Sequence, residues 1–313
     1  MQKTPMAKSK NAKTSLRCGA AFLSKFLGFG MALFLFSFPG LCWGEEDLLI
    51  AAAQTGQSQI FARDYEAARQ TFQHVIETDP DHPTGYFGMM ALWETRMLEN
   101  SDFAFEEEYL KVAEKGLKIM DRYPAQKQVL SRWDRFILSA GYGIHGFHYA
   151  RKGGWLRAYL FGNKARHYLK ELVWEDSHYY DAYLGLGLYD YYRSIFTRQL
   201  WFLPFFGDKR VDAMVQVRTA MEKSLYSRDL ARANLSLIHL REGEWQPAES
   251  LLNSMLQDYS KNIVLRMYRT HALLGQKKMS EAKEELRKVL QIDPKISRAK
   301  ELLNQIAERE KKG

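Results

Sequence analysis

His145 and His148 stand three residues apart, and His167 precedes Glu171 by four. Such spacings place each pair on one helical face, from which facing helices could ligate a transition metal. An enzyme built on these three histidines would also need a base held against a nucleophile and a third group to orient it. No HExxH run or comparable constellation accompanies them. The expectation is therefore no catalytic residue, no metal and no cofactor, with an enzyme assembled by the middle of the chain as the third reading. Gly141–Gly146 spells GxGxxG, which cradles pyrophosphate only at a strand-to-helix turn. Nothing nearby reads as a strand, so these glycines are expected to let a helix from about Val129 to Tyr149 pack closely.

Binding chemistry is better represented. Eleven aromatics lie between Tyr179 and Phe206. The first half of this stretch, with Gly185 and Gly187, reads as a helix. The second half, from Leu200 to Arg210, carries Pro204 and Gly207, which keep it from being one plain helix. Trp201, Phe202, Phe205 and Phe206 either form an exposed patch that docks on a partner or a membrane interface, or fold back as core.

These residues must be held by a scaffold, and its pattern is repetitive. Ala248, Leu252 and Met255 are spaced four and three apart, as are Ala282, Leu286 and Val289, and the two alanines are 34 residues apart. Ala68, Phe72 and Val75 repeat the signature near the start, with Gly56 twelve residues before the alanine. Asp79-Pro80 and Asp293-Pro294 supply helix stops. Ala113, Ala165 and Ala213 begin looser copies, and successive alanine intervals run 45, 52, 48, 35 and 34 residues.

This signature and period resemble the tetratricopeptide repeat, a hairpin of two helices that must stack on neighbours to bury its apolar face. The resemblance implies an all-α, right-handed superhelical solenoid of about six hairpins with inflated middle repeats. Regular repeats are expected at about 49–82, 229–262 and 263–296, irregular ones over 83–228, and a capping helix at 297–312. By the register of that family, groove-facing positions include Ile50, Ala53, Gln57 and Ile60. Later repeats add Leu230, Ala233, Leu237 and Arg241, then Met267, His271 and Leu274. The lysines and asparagines with which some members clamp a peptide carboxylate are absent there. Gly185, Gly187, Pro204, Gly207, Asp208 and Arg210 also resemble the family that groups the mitochondrial outer membrane inclusion-clearance protein with tetratricopeptide repeat protein 39. Lys209 interrupts that family's turn, and the likeness implies membrane proximity and no catalytic residue.

The first 44 residues read as targeting. Six cations without an acid precede an apolar run from Phe26 to Leu41, and Cys42-Trp43-Gly44 leads into Glu45-Glu46-Asp47. The reading is a secretory signal peptide over residues 1–44 ahead of a repeat domain at 45–313, with a retained anchor as the alternative. Setting the leader aside lowers the formal charge from +8 to +2 and removes both cysteines, Cys18 and Cys42. No basic stripe for nucleic acid and no disulfide framework then remain. The function expected is a non-catalytic scaffold for protein partners in the cell envelope, periplasmic or envelope-associated. The alternative is a membrane-peripheral binder of lipid or a membrane protein that uses residues 200–206. The candidate partner contacts are Trp201, Phe202, Phe205, Phe206, Leu237, Arg241 and His271.

Overall fold

Apolar residues recurring at threes and fours, punctuated by helix stops, set the pattern of the structure, a computed structural model that describes residues 44–197 and 207–312. Among these residues the chain forms six helical hairpins and a final helix. They are α1 (Glu45–Phe61) with α2 (Tyr65–Thr78), α3 (Pro83–Asn100) with α4 (Glu106–Gln126), and α5 (Arg132–Arg151) with α6 (Trp155–Glu175). Then come α7 (Asp181–Thr197) with α8 (Arg210–Lys223), α9 (Arg228–Glu242) with α10 (Trp245–Asp258), α11 (Ile263–Gly275) with α12 (Met279–Ile292), and last α13 (Ser297–Lys312). Each helix packs on the next, as a solenoid requires.

All six signature alanines are buried in the second helices of the hairpins. A small side chain there lets paired helices approach, while the larger residues four and seven positions on fill the gap between hairpins. Phe72 shows how tight this is. A Cβ on Gly56 would collide with its ring, so this close approach needs glycine, and burying the ring contributes roughly 2–3 kcal/mol.

Many of the extra residues of the second and third hairpins enter the helices themselves. Helices α3 to α6 run 18, 21, 20 and 21 residues, against 14, 13 and 14 for α10 to α12. Capping fixes several starts: Ser131 and Asp134 form a capping box at α5, and Asn262 Oδ1 accepts from the Leu265 amide at α11. Four turns share one left-handed position two residues before the second helix. It is occupied by Gly153 at φ 76° and Gly243 at φ 77°, but also by Arg63 at φ 66° and Lys277 at φ 63°. Glycine takes this conformation freely, whereas a residue with a Cβ pays roughly 1–2 kcal/mol.

The solenoid closes on itself. Phe61 stacks on Tyr259 with ring centroids 5.1 Å apart, and Asn262 Nδ2 donates to the Phe61 carbonyl at 2.8 Å. Arg63 Nη2 donates to Asp293 at 2.6 Å while its Nε donates to Glu99 at 2.7 Å. Asn100 Oδ1 accepts from Ser297 Oγ and the Arg298 amide, and Gln57 Nε2 donates to the Tyr226 carbonyl. Helix α3 thereby touches α11 and α13 as well as its chain neighbours.

Candidate partner-binding lumen

Closure turns one face of the odd-numbered helices inward. Tyr268 of α11 lies within the electrostatic reach of Tyr192 on α7, Arg151 on α5 and Arg241 on α9. Its hydroxyl is pushed up to about 12, first by desolvation and then by Tyr192, with the two arginines opposing. Arg241 sits over the Tyr192 ring at 5.5 Å, a cation–π contact. Where the ends of the solenoid meet, a cavity of about 510 Å³ is lined by Leu98, Asn100 and Asp102 of the first turn of the ring. Its far wall is Met267, Tyr268 and His271 of α11 with Arg298 and Glu301 of α13. His271 is open to solvent, yet surrounding protein and then the Arg298 charge lower its pKa. Tyrosine hydroxyls, guanidinium groups and an imidazole around an open space can hydrogen-bond a peptide backbone or a carboxylate.

The groove positions of the regular register divide into two sets. His271 lines this cavity, Arg241 is exposed within electrostatic reach of Tyr268, and Leu237 is half-buried. In the first hairpin the same register is taken up by packing and by one closing contact. Ala53 and Ile60 are buried, Ile50 packs in the cluster of Trp133 and Ile137, and Gln57 is spent on Tyr226. Met267 is buried, Leu274 packs on the core of the last hairpin, Ala233 packs with Phe61 and Leu252, and Leu230 is exposed. Trp201, Phe202, Phe205 and Phe206 lie outside the described residues.

The histidines occupy different environments. His145 and His148 are buried on α5. His148 Nδ1 hydrogen-bonds Glu94 at 2.9 Å and its Nε2 reaches Glu106 at 3.3 Å, while Arg151 also pairs with Glu94. The Tyr109 hydroxyl hydrogen-bonds His145 Nδ1 at 3.0 Å, and its ring stacks on His148 at 4.2 Å. Burial first, and then His148, push the His145 pKa down to about 4, Glu94 opposing, so that imidazole stays neutral. His167 stands apart, exposed and paired with Glu171 at 3.3 Å. No group of three metal-ligating side chains occurs among the described residues. A second buried carboxylate, Asp134, is desolvated, yet donors from His82, Ser131 and Tyr123 outweigh that and hold it at about 2. The GxGxxG run lies inside α5, where a Cβ on Gly141 would strike Met120 and one on Gly146 would crowd α6. Gly141 and Gly146 are helix-packing glycines, whereas Gly143 meets open space.

Apart from Arg241 and His271, the pattern of repeats carries no sign of the residues that close and line the lumen. Arg63 reads as a surface cation in a turn, and Asn262 as a cap. Asp181, whose carboxylate accepts from the Leu225, Tyr226 and Ser227 amides, reads as a helix start. Only the aromatic run containing Tyr192 offers a hint.

Comparison with known proteins agrees with this geometry. Residues 239–308 match the family model of the tetratricopeptide repeat. No curated protein sequence matches significantly. Among solved structures, one chain of the APC/C hetero-tetramer Cut9–Hcn1 is 16% identical with a TM-score of 0.48, over 82% of this chain and 42% of that one. The present chain thus spans less than half the length of that relative. A thermophilic tetratricopeptide-repeat protein of Thermus thermophilus is 18% identical with a TM-score of 0.40, over 72% and 99% of the two chains. The TPR2AB domain of yeast Sti1, in complex with pHSP90, is 12% identical with a TM-score of 0.30, over 83% and 97%. Residues 239–308 thus carry tetratricopeptide repeats, within described residues that form alanine-centred helical hairpins throughout.

Proposed function

We propose that this protein is a non-catalytic scaffold that holds a segment of a protein partner in its lumen, at the wall formed by Tyr192, Arg241, Tyr268 and His271. The observation that carries this reading is the grouping of Tyr192, Arg241 and Tyr268 from α7, α9 and α11 beside a cavity that Tyr268 and His271 line. Each remaining hydroxyl, guanidinium or imidazole can hydrogen-bond an extended chain, the mode repeat proteins use on their concave faces. Its place of work, on this reading, is the cell envelope after export, a proposal that rests on the cationic and apolar pattern of residues 1–44.

The test is site-specific photocrosslinking in the native host from positions 241 and 271, with Lys288 on the outer face of α12 as reference. One common adduct from both inner positions and none from Lys288, lost in Tyr192→Ala, is the expected result. Adducts of equal yield from Lys288, or none at either inner position, would overturn the assignment. Fractionation of the same cells reports the compartment: adducts confined to the cytoplasm would remove the envelope location.

A further inference from the structure

The outer face of α6 is unlike the other outer helices. Leu156, Leu160 and Trp174 stand 73%, 55% and 90% exposed on it. Trp155 and Tyr159 flank them, also exposed, and Trp155 packs against exposed Phe196 at the end of α7 with centroids 6.0 Å apart. Positions 156, 160, 163, 167, 170 and 174 are spaced by fours and threes, so they form one stripe along the whole helix. At 1.5 Å per residue the two apolar ends of that stripe are roughly 27 Å apart. Asn163, His167 and Lys170 lie between them.

The charge on this face is one-sided. From Trp155 to Lys170 the helix has Arg157, Lys164, Arg166 and Lys170 and no acid. Its two acids are already paired: Glu171 with His167, and Glu175 with Arg132 and Arg135. Asp121 on α4 takes up Lys164 at 2.9 Å, and Glu106 takes up Lys152 in the preceding turn. Among the described residues no carboxylate pairs with Arg157, which lies over the Tyr149 ring, or with Arg166, which lies over Tyr189, and Lys170 is exposed. An apolar and aromatic stripe with surplus cations beside it is the composition of a helix that lies flat in a lipid interface. Tryptophan and tyrosine settle at the headgroup boundary, and each nearby cation adds about 1 kcal/mol, or roughly fivefold, on anionic lipid. Among the described residues no helix is long and apolar enough to cross a membrane, so contact through α6 is peripheral.

We propose that the outer face of α6 docks this protein on an anionic membrane surface, with Leu156, Leu160 and Trp174 entering the interface and Arg157 and Lys170 meeting lipid phosphates. This surface is separate from the lumen, and the two can fail independently.

The test is vesicle flotation of residues 43–313, the compact unit that contains every core cluster described above, so that the leader cannot insert in place of α6. Vesicles of phosphatidylcholine alone are compared with vesicles containing phosphatidylserine. The expected result is flotation with the anionic vesicles at least tenfold above neutral ones, weakening steeply as salt rises from about 50 to 500 mM. Leu160→Ser with Trp174→Ser, and separately Arg157→Glu with Lys170→Glu, should each abolish it. All four positions are solvent-exposed, so both variants should melt within a few degrees of the parent. Absence of flotation, or flotation unchanged in both variants, overturns the proposal. So does a sedimentation experiment without lipid in which the parent is a dimer and the Leu160→Ser, Trp174→Ser variant a monomer, with no flotation by either. The face would then be an interface between two copies.

Discussion

The long hairpins α3–α6 and the regular hairpins α9–α12 solve the same packing problem with different side chains. In the regular pair the core is aliphatic: Leu252, Met255, Ile263, Leu265, Leu273, Leu286 and Val289 are all buried, with Glu285 clamped between Arg266 and Arg269. In the long pair the interior holds Tyr109, Tyr123, Trp133 and Tyr142 beside the titratable groups Glu94, Asp134, His145 and His148. Aliphatic packing is nondirectional and indifferent to pH. A buried hydrogen-bonded network works in one geometry and one protonation state, and an unsatisfied member is costly. The family model matches only residues 239–308, which lie within and after the aliphatic pair. Repeat patterns are patterns of aliphatic size, and the long hairpins have exchanged aliphatics for aromatics and polar groups.

The sharpest way to break this comparison is truncation on each side. Tyr109→Ala removes a fully buried ring, its stacking on His148 and its bond to His145, and should cost about 4–5 kcal/mol in urea unfolding. Leu286→Ala removes only volume and should cost about 3 kcal/mol. A larger loss from the leucine would mean that the polar core adds nothing to its area.

Acid should separate the two regions next. His145 binds its proton near pH 6.5 when unfolded and only near pH 4 when folded. Between those values the unfolded chain holds more protons, so stability falls as pH falls, by up to about 3 kcal/mol from this group. Asp134 has the usual carboxylate sign. Its contribution is present above its ordinary value of 3.8 and is lost as pH falls toward about 2. Hydrogen exchange at pH 5 should therefore open α3–α5 before α9–α12, and His145→Gln should flatten the slope between pH 6.5 and 4. Equal opening in both regions would remove the distinction.

A smaller effect concerns the joint between the ends. Arg63→Ala takes the partner from Glu99 and Asp293 and should cost about 1–2 kcal/mol. Its distinctive sign is cooperativity. With the clasp intact the terminal hairpins should melt together, whereas in the variant exchange should show α1 and α2 opening below the main transition. The smallest pair tests the shared turn position. Gly243→Ala should destabilise by about 1 kcal/mol and Lys277→Gly should stabilise by a similar amount, both read as shifts in Tm.

Helix content, the number of hairpins and the buried alanines were legible because each is set by local spacing. A residue at i, i+4 or i+7 has its face fixed by helix geometry alone, and a small residue at a close crossing is required whatever lies beyond. Register also names Arg241 and His271 as groove-facing positions, and His271 lines the cavity where the ends meet. What the repeat could not announce is where the superhelix ends relative to where it begins. Gln57 and Tyr226 are 169 positions apart, and Arg63 and Asp293 are 230 apart. Their meeting depends on the sum of small rotations between successive hairpins and on the added turns in α3–α6. The order of residues determined the repeated unit; only the tertiary structure decided that the solenoid closes, because closure depends on every interface at once and is encoded at no single one.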